Sequence, residues 1–140
     1  LQDAVVKEIA GFLNSDFGGV LLIGVEDEPP YNPSELVKLD IERAGSEDAM
    51  ELHIGQILER DLATHSGQWK IRFPLFRGSK IIKIEVPRKA SKPILAFQPN
   101  KQKDRGRDPK QSFAFTRSGS RTSPNSLETW TDYVRDHWKG

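Results

Sequence analysis

The chain has 140 residues, 36% hydrophobic and 29% charged, with a formal net charge of +1 and no cysteine. That length suits one domain, residues 1–140, able to bury a sizeable core. The absence of cysteine excludes a disulfide framework and thiolate metal sites, and no apolar run is long enough to span a bilayer.

No signal-like segment opens the chain, so the expected location is cytoplasmic, with no membrane partner. The start at Leu1, inside a helical pattern, leads us to expect an excised domain with an upstream segment missing. Val5, Val6, Ile9, Phe12 and Leu13 recur at helical spacing, and the helix should end near Asn14. Gly18-Gly19 can supply the positive φ that reverses the chain. Val20 to Ile23 are apolar without alternation, which predicts a strand covered on both faces and running to about Asp27. Glu26, Asp27 and Glu28 then stand at the carboxyl end of a strand, where ligands gather in open α/β sheets; the alternative is a solvated acidic turn.

Pro29, Pro30 and Pro33 prevent a regular element, and a helical turn is expected around Leu36 to Leu39. A clearer helix follows, capped by Ser46 or Asp48, with Met50, Ile54, Ile57, Leu58 and Leu62 on one face. His53 and His65 flank it without a metal-ligand spacing and read as ordinary side chains. Next comes a hairpin: Trp69, Ile71, Phe73 and Leu75 alternate, Arg77 to Lys80 turn with Gly78-Ser79 at the centre, and Ile82, Ile84 and Val86 return. Lys70, Arg72 and Lys83 lie on its wet face, where they read as solubilising charges.

A short strand is expected over Ile94 to Phe97, followed by a polar loop from Gln98 to Gln111. Phe113 to Phe115 form a last strand, and Arg117 to Thr122 a turn with the donors to contact a phosphate. The spacing of a Walker loop is absent. Ser123-Pro124 should begin a final helix, with Leu127, Trp130, Val134 and Trp138 as its apolar stripe and both tryptophans in the core.

The small net charge conceals a segregation. Residues 1–69 carry 4 Lys+Arg against 14 Asp+Glu, a balance of −10, whereas residues 70–121 carry 15 against 3, a balance of +12. Such a basic stretch is an electrostatic footprint for polyanions. Its candidate nucleic-acid contacts are Arg88, Lys89, Lys101, Lys103, Arg105, Arg107, Lys110, Arg117 and Arg121. They are expected to form one continuous surface.

The segment Ile9-Ala10-Gly11-Phe12-Leu13-Asn14-Ser15-Asp16-Phe17-Gly18-Gly19-Val20-Leu21-Leu22-Ile23-Gly24-Val25-Glu26-Asp27 resembles the "AFxNTxGGxLxIGVxDxG" hallmark of the AlbA_2 domain of the Schlafen superfamily. Phe113-Ala114-Phe115-Thr116-Arg117-Ser118-Gly119-Ser120 is similar to that family's "FyvRxGsst" strand and turn. The resemblance spans nearly the whole chain. It implies an α+β domain, with a mixed sheet of about five to six strands and two or three packed helices. It also implies a DNA-binding bacterial regulator, or the nuclease core of a Schlafen protein.

In those nucleases three carboxylates hold a divalent ion, Mg or Mn, that cleaves transfer or ribosomal RNA. Asp27 matches the third of them, with Glu26 beside it, so both become candidate catalytic residues and Asp27 a candidate metal ligand. The upstream Glu-x-x-x-x-Glu-x-Lys segment is absent, and Glu28-Pro29 departs from the family's usual Asp-Gly. Three functions are thus carried forward. The first is a domain that grips the phosphate backbone of DNA or RNA, within a regulator or defence protein. The second is a metal-dependent endoribonuclease core completed by upstream carboxylates, and the third a homodimerisation module pairing acidic with basic halves.

Overall fold

A computed structural model describes residues 2–62, 68–99 and 110–138. Its centre is helix α1, Gln2–Leu13, which buries Val6, Ile9, Ala10, Phe12 and Leu13. Strand β1, Gly19–Ile23, follows a tight turn in which Gly18 has φ 71. A Cβ on Gly18 would stand 2.0 Å from the Val86 carbonyl oxygen, so the turn needs glycine for close approach as well as for its φ. The chain then passes through helices α2, Leu36–Ala44, and α3, Glu47–Leu62. Ser46 Oγ accepts from the Ala49 N–H at 3.0 Å, making it the cap of α3, and Ile54, Leu58 and Leu62 are buried as their spacing predicts.

The hairpin comprises β2 (Lys70–Arg72), β3 (Leu75–Phe76), β4 (Ser79–Lys80) and β5 (Ile82–Val86). Ile71 faces Ile84 and Leu75 faces Lys80, so one register runs along both arms. Pro74 interrupts the ladder, keeping only the bond from Ile81 N–H to its carbonyl, 3.0 Å. The turn is centred on Arg77-Gly78, not on the expected Gly78-Ser79. Both central residues have positive φ, 50 and 83, as a primed two-residue turn requires. Arg77 holds that conformation by donating Nη1 to the Pro30 carbonyl at 2.6 Å.

β5 lies between β1 and β2 in an antiparallel three-stranded sheet. Leu21, Ile23, Ile71, Ile82, Ile84 and Val86 face inward. The expectation that β1 is covered on both faces is overturned: among the described residues it pairs only with β5, and Val20 and Leu22 are 47% and 49% exposed. An unbroken apolar run hides the alternation that would have shown this.

The remaining strands are β6 (Ala96–Pro99), β7 (Lys110–Phe113), β8 (Phe115–Ser118) and β9 (Arg121–Pro124), paired antiparallel as β6–β7 and β8–β9. The single strand expected over Phe113 to Phe115 is divided at Ala114, whose carbonyl accepts from the Asn125 N–H at 2.8 Å. The α+β class holds. In place of one mixed sheet with two or three helices, the described residues form several small antiparallel sheets and four helices.

Helix α4, Leu127–His137, begins later than expected, capped by Ser126 through the Thr129 N–H at 3.3 Å. Ser123 and Pro124 pair instead with Thr116 and Phe115, so strand pairing overrides a local helix-start signal. Leu127 is 82% exposed and α4 buries no residue. Its tryptophans are half-buried in a ring cluster with Tyr133 and His137 rather than in the core.

Helix α1 contacts β1, β5, β6, β8, β9 and α3, so one apolar cluster runs through the domain. Each fully buried Ile or Leu in it contributes roughly 1.5–3 kcal/mol. No helix among the described residues is long and apolar enough to cross a membrane.

Candidate nucleic-acid interface

Two segments of the sequence meet at the carboxyl end of α1. Asn14 is fully buried, and all of its carboxamide is used. Nδ2 donates to the Ile94 and Phe115 carbonyls, both at 2.9 Å, and Oδ1 accepts from the Ile94 N–H at 2.9 Å. The Asn14 carbonyl accepts from the Tyr133 hydroxyl. One side chain thus ties α1 to the approach to β6 and to β8, and its backbone holds α4. The sequence offered a signal for this in a polar residue breaking the helical apolar face, but not its partners 80 and 101 positions away.

Two residues earlier, Phe12 lies beneath the Arg117 guanidinium at 4.5 Å and against Gly19, where a Cβ would stand 2.3 Å from the ring. Arg117 Nη1 donates to Glu8 Oε2 at 2.6 Å and to Thr122 Oγ1 at 2.9 Å, and Thr122 Oγ1 donates to the same Glu8 oxygen at 3.1 Å. A charge-assisted bond stacked on an aromatic face is a strong use of arginine. The expected phosphate-contacting turn therefore commits one of its two guanidiniums to the fold. Arg121, across the turn, is exposed.

The acidic edge after β1 closes on itself. Glu26 N–H donates to the Asn32 carbonyl at 3.0 Å, and Glu26 Oε1 accepts from the Asn32 N–H at 3.1 Å. Asp27 is exposed. A hard divalent cation needs several oxygen ligands at once. Among the described residues no three His, Asp or Glu side chains are grouped to hold an ion. By themselves these carboxylates supply too few ligands for the metal that the resemblance implies.

The cations divide into two sets. Lys89 approaches Asp16 at 3.4 Å and the Trp138 ring at 4.9 Å, and donates to the His137 carbonyl. Lys80 pairs with Glu47 at 2.8 Å, and Arg117 with Glu8. Three cations of the basic stretch are thus paired with carboxylates of the acidic half. Arg88 and Arg121 remain exposed, as do Lys92 and the two hairpin cations Lys70 and Arg72, which the periodicity reads as solubilising charges. Lys101, Lys103, Arg105, Arg107 and His65 lie outside the described residues, as does the side chain of Lys110.

Burial of the Tyr133 hydroxyl, and secondarily the Asp16 carboxylate, raise the Tyr133 pKa above its ordinary value. Both act on the joint that holds α4 to the end of α1.

No curated protein matches the chain. A crystal structure of the DIP2311 protein from Corynebacterium diphtheriae is similar in fold, with a TM-score of 0.60 at 18% identity. The similarity covers 97% of this chain but only 22% of that one, so the fold seen here is about a fifth of a longer protein there. The Schlafen AlbA_2 family profile matches residues 1–126, stopping just short of α4. The segments that Asn14 and the Phe12–Arg117 stack bind together lie within that match, and the chain belongs to the Schlafen AlbA_2 family.

Proposed function

We propose that this domain binds DNA or RNA by gripping the phosphate backbone with exposed lysines and arginines, as one part of a longer bacterial regulator or defence protein. The observation that carries this reading is the second set of cations. Lys70, Arg72, Arg88, Lys92 and Arg121 are exposed and have no ion-pair partner among the described residues, although the chain holds ample carboxylate. Membership of a family linked to nucleic-acid function points the same way. Charges left free next to available partners favour an external anion, whose phosphates release counterions when neutralised.

The test is a binding titration of the domain against a labelled duplex across salt concentrations. Log affinity should fall with log salt by about 0.9 for each phosphate contacted. Arg88→Ala with Arg121→Ala should reduce that slope by about two. A slope near zero in the unmodified domain would overturn the reading.

A further inference from the structure

The strand register defines the outer face of the three-stranded sheet. Residues not facing the core form two cross-strand rows: Val20, Glu85 and Lys70 in one, Leu22, Lys83 and Arg72 in the other. Strand spacing places row neighbours about 5 Å apart and the rows about 7 Å apart. Three cations and one carboxylate thus share a patch two residues deep. Arg72 and Lys83 are directly opposed, an arrangement that repels and destabilises a bare sheet. No carboxylate among the described residues forms an ion pair with either, although Asp48, Glu51 and Glu59 of α3 line a groove beside β2 that Lys70 and Arg72 also line.

We propose that this face is a phosphate-binding platform, on which Lys70, Arg72 and Lys83 straddle one strand of a nucleic-acid backbone. The proposal rests on the nucleic-acid reading above and assigns that reading a surface. Charge complementarity selects the occupant. A second copy of the same face would bring three cations against three, with one carboxylate on each side to offset them. A polyanion meets the like-charged pair with the charge it lacks. The row ends Val20 and Leu22 are aliphatic, so the face has no ring on which a base can stack, and its grip should be indifferent to sequence. Glu85 sets the limit of the patch, since it would face the same phosphates with the wrong sign.

The experiment compares the intact domain, the triple variant Lys70→Gln/Arg72→Gln/Lys83→Gln, and Glu85→Gln, against one duplex prepared as DNA and as RNA. Fluorescence anisotropy is read between 50 and 300 mM salt. Thermal melts establish that each variant is folded, as expected for side chains on an uncovered face. The triple variant should lower the salt slope by nearly three and weaken binding at 100 mM salt by about 10–100-fold. Glu85→Gln should tighten binding severalfold. Glu128→Gln, an equal change of net charge on α4, should do so much less. Should the triple variant not fold, Arg72→Gln alone should lower the slope by about one, and the two glutamate variants still decide the matter.

Unchanged slope and affinity in the triple variant, with the intact domain still binding, would overturn this platform while leaving the nucleic-acid reading in place. Equal effects of the two glutamate variants would also overturn it, since only bulk charge would then be at work. Absence of binding by the intact domain removes both readings. A salt-sensitive dimer dissolved by the triple variant, with no affinity for either duplex, would assign the face to a second copy instead.

Discussion

Three backbone groups on two separate segments depend on the Asn14 carboxamide, and all three bonds are buried. Asn14→Ala should therefore cost far more than its few atoms suggest, about 3–5 kcal/mol. The melting temperature should fall by about 10 °C or more. Asn14→Asp is a sharper test, because it sets a carboxylate oxygen against the Ile94 and Phe115 carbonyls at nearly unchanged volume. It should destabilise at least as much as alanine, and a near-normal melting temperature would show that the clamp is dispensable. Arg117 and Arg121 make a contrasting pair four residues apart. Arg117→Ala should lower stability by about 1–3 kcal/mol through the Glu8–Thr122 network, with little change in the salt slope of binding. Arg121→Ala should leave the melting temperature alone and reduce that slope by about one.

Elements follow the same division between what is local and what is not. α1, α3 and the hairpin were legible because their signals are periodicities within a dozen residues. The turn slipped by one residue because Gly78 is accommodated at either central position, whereas the register also needs Arg77 at φ 50, stabilised by the remote Pro30 carbonyl. Gly78→Ala isolates the backbone cost of that turn. Nothing lies within 4 Å of the added methyl, so a loss of about 1 kcal/mol would be conformational alone. The start of α4 was misjudged because Ser123-Pro124 is a sound helix-start pair locally and a strand end in the presence of β8. α4 also yields a pH prediction. Its Tyr133 hydroxyl has a raised pKa in the fold, so the unfolded chain ionises first. This group's contribution is complete below about pH 10 and is lost as pH rises through the folded value. Tryptophan fluorescence from Trp130 and Trp138 should report release of α4 on that alkaline limb. Tyr133→Phe should remove the limb, and should loosen α4 already at neutral pH by about 1 kcal/mol.

At the scale of the molecule, the charge asymmetry was plain in the sequence and its consequence was not. Pairs such as Glu8–Arg117, 109 positions apart, form only because α1 is wrapped by both halves of the chain, and no local pattern encodes them. The fold thus neutralises part of its own basic half and, among the described residues, leaves Lys70, Arg72, Arg88, Lys92 and Arg121 exposed. The two sets should respond very differently to salt. The internal pairs are partly exposed, and each contributes about 0–1 kcal/mol, so together they cannot hold an apolar core that is continuous without them. The exposed set acts through counterion release, which is steep in salt. Raising salt from 50 to 500 mM should then shift the melting temperature by only a few degrees. Over the same range, binding to a duplex through four or five contacts should fall by about 10³–10⁵-fold. Measuring both in the same buffers separates the roles of the charges. A large drop in melting temperature would mean that the acidic and basic halves hold the domain together, and the free cations would then be the residue of that arrangement rather than a surface kept open for phosphate.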